Sequence, residues 1–308
     1  MKIMNKNRKK GVDLAKWNKI KDYDKFRDAG VEFAIVKVNN SGNTADSRFY
    51  EHVNGLTYAG IPIIGGYNYS YANTVEKAKK AASAFVNLAR TKDIDMMWLD
   101  LEDACMRGLG SKILDIIFTY KNIAESAGMK FGIYTGASFY NPCLKAYEKE
   151  LAGIPFWWAR YPSTKDRKIT ADVPQTSYLP TNLDLDGWQY SSKGVIDGAT
   201  GYIDLNVWYE DEPFANTENM IPIDENPFAE PTYAIQRGAV GEYVKWVQWY
   251  LWKFGLFLDS KGIPDDSQID GIFGQATEFA VKEAQKRLCM PQTGVVTTAD
   301  MAIWKKLA

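Results

Sequence analysis

Eight short β-rich runs recur over the first 208 residues, and helical patterns lie between the first five of them. The runs are VDLAKW (12–17), FAIVKV (33–38), IPIIGGYNY (61–69), MMWLDL (96–101), KFGIYT (130–135), PFWWARY (155–161), GWQYS (187–191) and YIDLNVW (202–208). Strand–helix alternation favours a parallel sheet covered by helices. Eight strands are enough to close such a sheet on itself. Past the fifth run the alternation weakens, and loops such as the polar 162–186 segment join the last three runs. The expected fold class is α/β: an irregular TIM-like barrel of five βα units followed by three strands. The helix over 74–91 places Ala78, Ala81, Ala82, Phe85, Leu88 and Ala89 on one face, with Asn73 as N-cap and Glu76 in capping-box position. A second helix over 111–127 ends at Gly128.

Composition shifts once. Residues 209–232 carry seven acidic residues, four prolines and no basic residue, which reads as a linker. The expected domains are therefore 1–208, a linker over 209–232, and 233–308. The last is read as a second, small all-α domain, with helices over 244–255, 276–288 and 297–307. Between the first two of these helices, IDGIFGQAT supplies a glycine-rich turn. Trp246, Trp249 and Trp252 recur every three residues and are expected in its core or at a seam with the first domain, with at most one or two facing a ligand.

Several function classes are excluded. Net charge is -1, the first 210 residues carry +4 and the rest -5, so no nucleic-acid partner is expected. No apolar run approaches the ~18–20 residues of a membrane span, so no membrane insertion is expected. The basic start MKIMNKNRKKGVD is not followed by an apolar stretch, so synthesis without a secretory signal is expected. Three scattered cysteines, Cys105, Cys143 and Cys289, form no disulfide framework. The single histidine, His52, lies in FYEHVNGLTYAG and reads as a surface or half-buried helix residue. Zinc sites and histidine-based triads are thereby disfavoured, and neither a metal nor a cofactor is expected. Carboxylates remain for acid–base work.

The strongest local signal is WLDLED at 98–103. On a strand, residues two apart share a face, so Trp98, Asp100 and Glu102 point one way and Met97, Leu99 and Leu101 the other. Two carboxylates facing a barrel interior at a strand's carboxyl end occupy the place where barrel enzymes build their sites. Mutual repulsion raises one pKa, as a general acid near neutral pH requires. Asp13 on the first run and Asp204 on the last, with Asn206 on the same face as Asp204, come to the same rim once the barrel closes. Aromatic residues gather at strand ends: Tyr67, Tyr69, Tyr134, Trp157, Trp158, Tyr161, Trp188 and Tyr190. Such residues either fill a barrel interior or line a carbohydrate groove. Cys105, in the loop after Glu102, has no flanking base and is expected to be a bystander.

The frame GVDLAKW, AGIPIIGGYNYSYA, WLDLE, GMKFGIYTG, FWWARY, WQYSSKGVIDG and DLNVW resembles the glycoside hydrolase family 25 muramidases, over roughly residues 10–208. That resemblance implies cleavage of the β-1,4 bond between N-acetylmuramic acid and N-acetylglucosamine in peptidoglycan, with retention. It implies Glu102 as general acid/base and Asp13, Asp100 and Asp204 as the other acidic site residues. The nucleophile stays open between a carboxylate, Asp204 or Asp100, and the substrate's own acetamido oxygen steadied by Asp100. Lys37, Tyr67, Tyr69, Tyr134, Trp158, Arg160 and Trp188 are candidate saccharide contacts. The segment Asn39-Asn40-Ser41-Gly42 departs from the family pattern. Residues 235–308 resemble a second family, the three-helix peptidoglycan-binding domains, through IDGIFGQAT and its flanking helices. Together they imply a modular, monomeric wall hydrolase, in the manner of a phage endolysin made in the host cytoplasm and released to the wall. Two other readings are carried: a chitinase-like glycosidase, and a non-catalytic wall-binding protein.

Overall fold

The computed structural model describes residues 8–209, 226–257, 268–288 and 290–307. The chain divides into two compact units, residues 1–220 and 221–308. Most of the linker expected over 209–232 lies outside the described residues, as does Cys289.

The first unit contains β1 (Lys9–Leu14), β2 (Lys19–Ile20), α1 (Tyr23–Asp28), β3 (Phe33–Asn39), α2 (Phe49–Tyr58), β4 (Ile63–Tyr69), α3 (Val75–Ala89) and β5 (Met96–Asp100). It continues through α4 (Lys112–Ser126), β6 (Lys130–Gly136), α5 (Ala137–Cys143), β7 (Phe156–Ala159), β8 (Leu185–Gly194), β9 (Ala199–Thr200) and β10 (Ile203–Trp208). Eight strands close a barrel in the order β1-β10-β8-β7-β6-β5-β4-β3, and β2 pairs with β9 in a separate ribbon. Every barrel pairing is parallel except those of β10, which runs antiparallel to both β1 and β8. The expected irregular barrel of five βα units and three strands is the fold found.

Boundaries moved where local hydrogen bonding overrode β propensity. The first run stops at Leu14 because Asn18 folds back, its Oδ1 accepting Ala15 N–H at 2.7 Å and its own N–H donating to Ala15 O at 2.9 Å. Trp17 thus leaves the strand and stands 81% exposed. The cap of α3 is Thr74, which accepts Lys77 N–H at 3.3 Å, rather than Asn73, whose Oδ1 takes the Lys77 ammonium at 2.9 Å. Glu76 pairs with Lys80 at 3.7 Å, so no capping box forms. Thr74→Ala should therefore cost roughly 0.5–1 kcal/mol and Asn73→Ala close to nothing, read from urea midpoints at constant m.

Two apolar layers build the unit. Outward-facing Val12, Leu14, Val36, Val38, Met97, Leu99, Leu101 and Ile133 pack under the helices. Inside the barrel, Phe33, Ile35, Tyr67, Met96, Trp98, Tyr134, Trp157 and Trp208 form a second cluster. Trp98 packs edge-to-face on Trp157 and Trp208, with centroids 6.1 and 5.3 Å apart. Glycine makes room for these rings: a Cβ on Gly132 would lie 2.2 Å from the Trp98 ring, and one on Gly187 2.2 Å from Trp208. The interior is thus filled from below, and polar side chains are confined to the end where the parallel strands finish.

His52 is fully buried on α2, not at the surface. Its Nε2–H donates to Ala15 O at 3.1 Å, leaving Nδ1 to accept the Tyr23 hydroxyl at 2.9 Å. Burial first of all lowers its pKa, so the neutral ring acts as a pin between α2 and the segment after β1.

The second unit contains α6 (Glu242–Lys253), α7 (Gln275–Arg287) and α8 (Thr298–Leu307), with short bridges pairing Ile235 with Val296 and Val240 with Ile272. Trp246, Trp249, Tyr250 and Trp304 are buried in its core and Trp252 packs partly against it. Gln248 ties the glycine turn to α6: its Nε2 donates to Asp270 Oδ1 and its Oε1 accepts Gly271 N–H, both at 2.8 Å.

Candidate active site

The acidic residues meet at one end of the barrel because of strand direction. Asp100 ends β5 and Glu102 follows it. Asp13 lies near the end of parallel β1, while β10 runs the opposite way, so its second residue, Asp204, reaches the same rim. Asp13 and Asp204 are register partners across the β1–β10 ladder. Alternation does the rest: Met97, Leu99 and Leu101 belong to the outer layer, and Trp98 to the barrel interior.

Each carboxyl has a different environment. Asp13 is buried, and its Oδ2 accepts Gln189 Nε2–H at 2.7 Å and Asn206 Nδ2–H at 2.8 Å. Its pKa is held well above the usual carboxylate range by desolvation and then by Asp204, against the lowering effect of those two amides. Asp204 is half-buried and pushed up to about 6, first by desolvation and then by Glu102. Asp100 is 4% exposed, and its Oδ1 has no hydrogen-bond partner among the described residues. Burial, then Glu102, raises it well above the normal range while the Lys37 ammonium opposes. Glu102 reaches solvent at the mouth, yet partial desolvation still raises its pKa, with Lys37 opposing and Asp103 adding to the rise. Four carboxyl groups with raised proton affinities at one rim are suited to acid–base work on an uncharged substrate.

A neutral network orients the cluster. The hydroxyls of Tyr134 and Tyr161 donate to Gln189 Oε1 at 2.7 and 2.5 Å. Gln189 Nε2 then bridges Asp13 and Asp204 at 2.7 and 3.3 Å. Asn206 accepts the Trp157 indole N–H at 2.8 Å while it donates to Asp13. Gln189 was not singled out in the sequence. Its signal was alternation: it lies on β8 between outward-facing Trp188 and Tyr190.

The candidate saccharide contacts divide. Lys37 lies 5.7 Å from the Tyr67 ring and 5.0 Å from the Tyr69 ring, at the mouth. Tyr69 donates to Asp103 Oδ2 at 3.2 Å, which fixes the loop after β5. Tyr67 and Tyr134 line the interior next to the acids. Arg160 is exposed just past the end of β7. Trp158 and Trp188 are not brought to the cluster: both are buried in the outer layer, Trp158 against Tyr140 and Trp188 with its indole N–H on Arg160 O at 2.8 Å. Exposed Trp17 and Tyr71 reach the surface instead. Asn39 is consumed internally, accepting from Asn68 and donating to Ala81 O, and Asn40 closes its own loop.

Cys105 is exposed, but its thiol is pushed up to about 11 by burial of the sulfur and by Asp103, so it is no thiolate at neutral pH. Among the described residues no group of three or more His, Cys, Asp or Glu is arranged to hold a metal ion.

Comparison with known proteins gives the same picture. The autolytic lysozyme of Clostridium acetobutylicum is 27% identical over 281 residues, covering 90% of this chain and 72% of that protein. Lysozyme M1 of Streptomyces globisporus is 26% identical over 208 residues, covering 64% of this chain and 66% of its own length. A glycosyl hydrolase 25 of Streptococcus pneumoniae superposes with a TM-score of 0.55 at 26% identity, over 67% of this chain and 91% of that one. The model of a putative peptidoglycan binding domain matches residues 240–303. The model of the glycosyl hydrolases family 25 matches residues 12–199, more than half of the chain, and the chain belongs to that family.

Proposed function

We propose that this glycoside hydrolase is a muramidase, which cleaves the β-1,4 bond between N-acetylmuramic acid and N-acetylglucosamine in bacterial peptidoglycan. The observation that carries the reading is Glu102: it alone of the four acids stands at the open mouth, with its proton held by desolvation and by Asp103. A carboxyl in that state protonates the glycosidic oxygen as the bond breaks, and later takes a proton from the attacking water. The positive charge that develops on the sugar ring meets Asp13 and Asp204, held by Gln189 and Asn206. Asp100 has a buried acceptor oxygen without a partner, and such an oxygen needs a donor. The N–H of the substrate's 2-acetamido group supplies one, which would steady the acetamido oxygen for attack on the anomeric carbon with overall retention. Residues 240–303 would hold the enzyme on the insoluble wall and make the second contact intramolecular. Domain boundaries at 208 and 233, a monomeric state and an endolysin role complete the proposal. The last is supported by the 28% identity to a lysozyme of Lactococcus phage mv1 over half of this chain.

Reducing-end analysis tests the reading. Purified peptidoglycan is digested, reduced with borohydride and analysed by mass spectrometry. New muramicitol ends are expected. Glucosaminitol ends would move the cleaved bond, and no new ends on any wall type would favour a non-catalytic wall-binding protein.

A further inference from the structure

Beside the catalytic rim lies a cleft of about 610 Å³ that the reaction above does not use. It starts at Ala137, the residue after β6, and at Arg160, just past β7, and ends at the 177–182 loop. The same strands carry Tyr134, and Tyr161 follows Arg160, so both hydroxyls that hold Gln189 belong to the elements that open this cleft. Its floor is Trp158, and Asn141, Asn182 and Tyr178 offer amide and hydroxyl groups along the walls. Glu148 is the acid of the lining, and its Oε1 already accepts from Tyr140 and Asn182, both at 2.8 Å. Lys145 and Arg160 are exposed, and among the described residues neither side chain has a carboxylate partner. Two unpaired cations beside a row of amides suit an extended peptide that carries carboxylates.

We propose that this cleft binds the peptide stem of the substrate. The inference rests on the muramidase reading. In an intact wall the muramic carboxyl is consumed in its amide bond to the stem, so the glycan strand is neutral there. Negative charge on the substrate then lies on the stem, at its glutamate and terminal carboxylates. A site for neutral sugars gains nothing from Lys145 and Arg160, whereas a stem leaving the muramic ring next to β6 and β7 meets both.

The test compares the wild-type chain with Lys145→Glu and Lys145→Gln on two substrates: solubilised peptidoglycan with its stems, and glycan strands stripped of peptide by an amidase whose freed muramic carboxyls are then capped as simple amides, so that the strand stays neutral. On the peptide-bearing substrate at low salt, KM should rise about fivefold for Lys145→Glu and less for Lys145→Gln, with kcat unchanged. That difference should shrink at high salt. On stripped strands all three proteins should have the same KM. An equal rise on both substrates, or no rise on either, overturns the stem assignment. Wild-type protein that cleaves neither substrate refutes the muramidase reading instead. The cleft is then decided by ligand-observed NMR with a free acidic tetrapeptide and its fully amidated form. Saturation transfer to the acidic peptide alone, lost in Lys145→Glu, keeps the site; equal transfer to both, or none, removes it.

Discussion

Glu102→Gln should lower kcat on peptidoglycan by ~10²–10⁴-fold, the ordinary contribution of a general acid. The substitution is nearly isosteric and lies at the solvent-reaching mouth, so folding and wall binding should survive. It removes the proton that the proposed reaction assigns to the leaving oxygen while keeping a hydrogen-bonding head group. KM should therefore change far less than kcat, the pattern of a group that acts in the transition state. The pH profile adds a second readout. In the proposed reaction Glu102 is the acid while protonated, and its pKa is raised, so wild-type activity should fall as pH rises through that raised value. The alkaline limb should vanish from the residual activity of the variant. Wild-type turnover in Glu102→Gln would remove this residue from the reaction.

The barrel was legible because its signals are periodic. Alternation in Trp98-Leu99-Asp100-Leu101 separates the two faces of β5, and the outer and inner layers follow it. The acidic quartet was legible for the same reason, once β1 and β10 were taken as neighbours. What periodicity does not encode is which way a strand end turns. Trp17 continues a β-rich run, yet the two hydrogen bonds between Asn18 and Ala15 end the strand three residues earlier. Trp158 and Trp188 lie in the outer layer, away from the acidic cluster, and aromatic content at a strand end does not say which face it takes. Trp158 follows the inward-facing Trp157 and so must face out. From the sequence His52 reads as a surface or half-buried residue, since a helix pattern does not reveal that Tyr23 and Ala15 O close over it from elsewhere in the chain. Gln189 was missed because an amide carries no charge signature. Its role exists only where four side chains from other elements converge on it.

Asp204→Asn should make the protein more stable and less active. A carboxyl raised from 3.8 to about 6 binds its proton more tightly in the folded state than in the unfolded one. Its contribution to stability is complete below pH ~4 and is lost as pH rises through about 6. Above that, the wild type carries a desolvated charge facing Asp13 and Glu102. At about 1.36 kcal/mol per tenfold of proton affinity, the loss is at most ~3 kcal/mol, and a half-buried side chain recovers part of it from solvent. Asparagine keeps the shape and still accepts from Gln189, so Asp204→Asn should gain roughly 1–3 kcal/mol at pH 7 and nothing at pH 4. Denaturant midpoints at the two pH values check this. Turnover should fall by ~10²-fold, as when one preorganised electrostatic partner of a transition state is lost. Gain and loss have one cause: a charge that is costly in the empty site is the charge that a cationic sugar ring needs. A variant that loses activity without gaining stability at pH 7 would mean that Asp204 is ionised at no cost in the free enzyme. The field at the rim would then have to come from Asp13 and Asp100.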